Sequence, residues 1–167
     1  MSPDHARLMA RYNRWQNESL AAAGDTLDEA ARQMARGAFF GSIAGTLNHL
    51  LWGDRLWMSR FAGTPKPNTG SIPESVGEAP DWAAWKADRI ATDLAIEAWA
   101  EALTMEALTR DLTWFSGAAG REMSFPLATL VTHFFNHQTH HRGQAHAMLT
   151  AAGAKPGPTD LFLMPAA

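Results

Sequence analysis

The sequence predicts an all-α fold, a four-helix bundle carrying one short β-hairpin, and three observations support that expectation. Apolar residues recur at spacings of three and four along four long stretches, near residues 3–24, 42–63, 81–103 and 127–152. Proline stays out of their interiors and collects between and after them. Only residues 111–125 alternate polar and apolar instead, in two short runs, DLTWF and REMSF, joined by SGAAG. At 167 residues the chain fits one domain, 1–167, with enough length to bury a core without staples.

The first helix opens with Ser2 as cap and Pro3 in its first turn, and Leu8, Tyr12, Trp15 and Leu20 repeat along it as far as Gly24. Residues 25–37 read as a connection holding one short helical turn. The second helix begins near Ser42 and stops at Gly63, ahead of Pro65. It is apolar nearly all round, with Ile43, Leu47, Leu50, Trp57, Met58 and Phe61 on one face and Trp52 and Leu56 on the other, which marks the most buried helix of the set.

Residues 64–80 hold four prolines and no periodicity, a long loop where four to six residues are typical. Extended, such a loop spans roughly 55 Å, more than the roughly 30 Å of a twenty-residue helix. It can therefore carry the chain back to the end where the second helix began, leaving the second and third helices parallel. Asp81 caps the third helix, a further helical turn follows Leu103, and the hairpin comes next. The fourth helix starts at Pro126, with Ser124 as its cap, and ends at Gly153 before Pro156 and Pro158. The tail, TDLFLMPAA, carries enough apolar residues to pack back on the bundle.

Composition excludes several functions. There is no cysteine, so disulfides, thiolate ligands and a cysteine nucleophile are absent, and any thiol chemistry needs a thiol from outside. The net charge is −3 with scattered basic residues, which disfavours nucleic-acid binding. The N-terminal stretch lacks a secretory pattern, and the longest apolar window is broken by Asn48, His49, Asp54, Arg55 and Arg60, so neither export nor a membrane span is expected. The expected location is the cytoplasm.

The chemistry concentrates in residues 133–146, HFFNHQTHHRGQAH, which hold five of the seven histidines. On a helix turning about 100° per residue, Leu130, Phe134, Ala145, Met148 and Leu149 mark the core face, and His137 and His141 fall on it or at its edge. Their i, i+4 spacing stacks two imidazoles on one face, the way a helix offers two nitrogens to one metal. His140 and His146 point elsewhere. His133 lies one turn earlier, but three ligands stacked over two turns span roughly 12 Å, too far for one metal with bonds near 2 Å. A third ligand must come from another helix.

The phrase LNHLLWGDRLWMSRF on the second helix, followed far downstream by THFFNHQTHHRGQAHAML, resembles the DinB family, also called DinB/YfiT-like metalloenzymes. RYNRWQN near the N-terminus and DLFL in the tail resemble it too. The resemblance implies an up-down-down-up four-helix bundle and a divalent metal held by one histidine of helix two and the H-x-x-x-H pair of helix four. Those positions are His49, His137 and His141.

Three imidazoles leave a coordination position open, the pattern of a catalytic rather than structural site, and nitrogen ligation suits zinc or nickel without choosing between them. Three functions are then open. One is a transferase that activates an external low-molecular-weight thiol, as the resemblance implies. Another is a hydrolase using metal-bound hydroxide, for which Asp54 and Glu18 are the loosely placed base candidates. The last is a non-catalytic stress-response or ligand-binding bundle that its metal stabilises. Asn48 and Gln144 are candidates to fix imidazole tautomers. Arg142 is a candidate for orienting an anionic substrate or pairing with an acidic residue. Trp52, Trp57 and Trp114 are candidates to line a pocket for a small molecule. A homodimer through helix faces is expected.

Overall fold

The computed structural model describes residues 1–166. Its helices are α1 (Pro3–Asp25), α2 (Glu29–Gln33), α3 (Ile43–Phe61), α4 (Trp82–Ala102), α5 (Met105–Thr109) and α6 (Leu127–Ala151), with strands β1 (Asp111–Ser116) and β2 (Arg121–Pro126) between α5 and α6. The fold is mostly helical, with one two-stranded antiparallel sheet among the described residues. Side-chain caps start three of the four long helices where the sequence begins them. Ser2, Ser42 and Asp81 accept from the backbone N–H groups of His5, Gly45 and Ala84.

The four long helices form a ring in which α1 packs on α4 and α6, and α3 packs on the same two. Arg7, Arg14 and Asp25 of α1 pair with Glu101, Glu97 and Lys86 of α4, so numbers rise along one as they fall along the other. Trp85 of α4 reaches the carbonyl of Leu47, Arg89 reaches Asp54, and Trp99 stacks on Phe61, so α3 and α4 are paired in the same sense.

The core divides into two apolar clusters with charge between them. Leu20, Leu47, Leu51, Trp85 and Leu149 belong to one, and Met58, Ile96, Val131 and Phe134 to the other. In between, Arg89 donates to Asp54 at 2.7 Å and meets Asp93 at 2.9 Å. Asn17 also donates to Asp93, and Gln138 to Asp54. All these groups are buried, so their mutual pairing is what makes the layer tolerable.

Two expectations need correction. Ser124 does not cap the fourth helix, because β2 continues to Pro126 and Ser124 pairs across the hairpin with Thr113. The N–H of Leu127 donates instead to the carbonyl of Arg110. Residues 64–80 form a loop between α3 and α4, and within it a 3₁₀ turn, Pro73–Gly77, packs on α3. The buried Glu78 carboxylate holds this loop by accepting from Asn68 and Thr69 backbone N–H groups while pairing with Arg55.

Most of the tail's apolar side chains do not pack back, Met164 being half-buried. Leu161, Phe162 and Leu163 are exposed, Phe162 by 84%. What docks is the preceding backbone, through Gln16 to the Pro158 carbonyl and Tyr12 to the Thr159 carbonyl. Ala167, the end of that tail, lies outside the described residues.

Candidate metal centre

His49 sits in the continuously buried part of α3, and His137 and His141 stand one turn apart on the facing side of α6. One ligand nitrogen from each lies within 4.8 Å of the other two. His49 Nε2 and His137 Nε2 are 3.3 Å apart. Two nitrogens bound at 2.0–2.1 Å to a tetrahedral ion are themselves separated by roughly 3.3 Å, so this pair has the spacing that a shared metal needs.

Hydrogen bonds select which nitrogen is free. The hydroxyl of Ser75 gives its only proton to the Ile72 carbonyl at 2.6 Å and lies 2.8 Å from His49 Nδ1. It can therefore only accept from that ring, which puts the proton on Nδ1 and leaves a lone pair on Nε2. Gln144 Oε1, an acceptor, sits 2.8 Å from His141 Nδ1 and fixes the same tautomer there. The His49 lone pair then faces His137 Nε2, and two lone pairs at that distance repel unless a proton or a metal ion lies between them.

Burial keeps the imidazoles neutral. It pushes His49 down to about 4, helped by the neighbouring His141. It pushes His137 down to about 3, with His141 and His49 adding to the effect. Burial lowers His141 as well, against the opposing hydrogen bond from Gln144. Near neutral pH the three rings offer lone pairs with no proton to displace.

The walls are aromatic. Phe40, from the turn before α3, stacks on His49 at 3.7 Å and meets His141 edge-on at 5.4 Å. Trp52 stacks on His49 at 5.7 Å and donates its indole N–H to the Thr69 carbonyl, which ties the loop to the site. On the other side of His137, His133 lies 5.9 Å away and contacts Trp57, itself packed edge-on against Trp114.

The candidates divide accordingly. Gln144 acts on an imidazole, and Trp52 lines the site. Asn48 does not touch an imidazole: it donates to the Ala44 carbonyl and accepts from the Ala79 N–H, pinning the loop to α3. Arg142 is buried away from the site, with its guanidinium over Tyr12 at 5.6 Å, and has no ion pair among the described residues. Burial pushes its pKa down to about 10. Asp54 is committed to Arg89 and Gln138, and Glu18 to Arg14, so neither stands as a base beside the histidines. His133 and His140 are exposed and His146 half-buried.

Sequence reasoning missed Ser75, Phe40 and Gly53. The first two lie in segments without periodicity, where no pattern says which side chain turns inward. Gly53 had a signal: a glycine inside a buried helix, four residues after His49, marks a close approach.

A family model described as the DinB family matches residues 1–167. The chain is similar to Protein DinB of Bacillus subtilis (strain 168), with 26% identity over 164 residues, covering 96% of this chain and 93% of that protein. No solved structure matches it.

Proposed function

The chain belongs to the DinB family, and from that premise we propose that His49, His137 and His141 hold one divalent ion, zinc or nickel, in a transferase that uses an external low-molecular-weight thiol. The observation that carries the reading is the 3.3 Å approach of His49 Nε2 to His137 Nε2, beside two rings, His49 and His141, whose Nδ1 partners, Ser75 and Gln144, leave their Nε2 lone pairs free. Three protein ligands leave room for a small molecule at the ion, and a bound ion would supply Lewis acidity and favour the anionic form of a thiol. The absence of cysteine makes that thiol external.

The protein's own residues orient and shield. Ser75 and Gln144 hold two rings in their tautomers, while Phe40 and Trp52 flank His49 and limit water around it. Hydrolysis is less well supported, since no carboxylate joins the three-histidine cluster among the described residues. Stabilisation of a non-catalytic bundle by the ion uses the same ligands and differs in having no turnover.

The up-down-down-up topology belongs to the same reading and is supported by the residue pairings of α1 with α4 and of α3 with α4. Homodimerisation through a helix face is also proposed, and Ile90 and Leu94, exposed on α4, are consistent with it. Among the described residues no helix is long and apolar enough to cross a membrane.

The test uses protein purified without nickel resin, stripped by a chelator and reloaded with zinc or nickel. Reloaded protein should bind the ion one-to-one and consume glutathione or another cellular thiol in the presence of an aryl halide electrophile. His137→Ala should lose both properties. Metal binding without turnover on any thiol would leave the stabilising role and reject the transferase.

A further inference from the structure

Arg60, in the last turn of α3, has unusual surroundings for a half-buried cation. Its guanidinium lies over the Trp57 ring at 4.6 Å and over the Trp114 ring at 5.4 Å, held between α3 and the hairpin. The half-buried Arg55 meets Glu78 and Asp88, and Arg36 and Arg142, which also lack an ion pair among the described residues, donate to the Ala31 carbonyl and the Thr139 hydroxyl. Arg60 makes no ion pair among the described residues, and burial alone lowers its pKa, with no acidic neighbour to compensate.

Stacking uses the faces of a guanidinium and leaves its edges. Those edges carry five N–H donors in a planar fork that matches a carboxylate, which can accept two of them side by side. Trp57 also touches His133, whose ring lies 5.9 Å from that of His137. A path of aromatic contacts thus runs from the unpaired cation to the three histidines.

We propose that Arg60, positioned by Trp57 and Trp114, binds the carboxylate of the small molecule whose other end reacts at His49, His137 and His141. The assignment rests on the histidine cluster being the reacting centre. It narrows the ligand to a carboxylic acid long enough to pass His133 and Trp57. Anchoring a remote carboxylate would orient the reacting end without touching it.

The experiment titrates 4-phenylbutyrate, and separately its neutral amide, into the full-length zinc-loaded protein and the metal-free protein. Tryptophan fluorescence and the Nε–H resonance of Arg60 in ¹⁵N-labelled protein are followed, the resonance being assigned by its loss in Arg60→Met. The acid should shift both signals and bind more tightly than the amide. Arg60→Met keeps a long apolar stem against the two rings, and should weaken the acid by about ten- to a hundredfold while leaving the amide and zinc binding unchanged. Arg60→Lys, which keeps the charge and loses the fork, should fall between.

Equal affinity of wild type and Arg60→Met for the acid would overturn the assignment. So would an Arg60 resonance that does not move, or wild type that prefers the amide or binds neither probe. Failure of the metal reading is separate: it shows as absent zinc binding, while the metal-free titration still reports on Arg60.

Discussion

Gly53 of α3 lies directly against His137 of α6: a Cβ added at Gly53 would come 3.0 Å from His137 Cε1. The glycine is what lets the helix backbone approach an imidazole ligand so closely, and the contact separates two effects that usually move together. Alanine favours a helix over glycine by about 1 kcal/mol, yet here its methyl pushes on the ring. Gly53→Ala should therefore keep or raise the melting temperature of the metal-free protein while lowering metal affinity by about tenfold, as expected when a ligand loses its support. Competition with a chromophoric chelator measures this. Unchanged affinity would mean that His137 has room to yield.

Ser75 is the least visible member of the site and should be among the most sensitive. Ser75→Ala removes the acceptor for His49 Nδ1–H, and loss of such an outer hydrogen bond typically costs 10–100-fold in metal affinity. Gln144→Leu should do the same through His141. Asn48→Ala touches no ring, and should weaken the metal less than either. The same chelator competition ranks the three, and the opposite order would remove Ser75 from the role given to it.

Acid should destabilise the metal-free protein through its histidines. An unfolded imidazole titrates near 6.5, whereas burial holds His49 near 4 and His137 near 3 in the fold. Between those values the unfolded chain binds protons that the folded one refuses. This part of the stability is thus complete above about pH 6.5 and falls as pH drops towards 4 and 3, by up to about 1.4 kcal/mol per pH unit for each ring. Urea midpoints between about pH 7 and pH 5 should decline less steeply in His137→Asn, which removes one titrating ring. A variant as steep as wild type contradicts the prediction.

Arg89 lies between two buried carboxylates, Asp54 and Asp93. Arg89→Met leaves both without their cation and should lower stability by about 3–5 kcal/mol. Adding Asp54→Asn and Asp93→Asn removes the stranded charges and should recover part of the loss. Urea denaturation of the three proteins decides it, and a near-neutral Arg89→Met would mean that water reaches the layer.

Much of this arrangement is legible in local pattern. The period of the apolar residues, the capping Ser2, Ser42 and Asp81, and the alternating hairpin each depend on neighbours a few positions away, so the elements emerge from the chain read in order. The i, i+4 pair His137 and His141 is legible for the same reason, since helix geometry alone puts them on one face. Family resemblance pointed to His49, one polar residue in an apolar helix, and the fold brings it to that pair.

Tertiary structure decided the rest. Ser75 reaches His49 across 26 positions because a loop without periodicity folds into a 3₁₀ turn against α3. The tail is tied by backbone carbonyls rather than by the apolar side chains that its composition emphasises. Asp54 has the chemistry of a catalytic base but is spent on Arg89, a partner visible only once α3 and α4 pack together. Sequence determines which residues can donate, accept, ligate or charge, because those are properties of single side chains and short spacings. Which of them meet depends on how helices distant in the chain are brought together, and only packing fixes that.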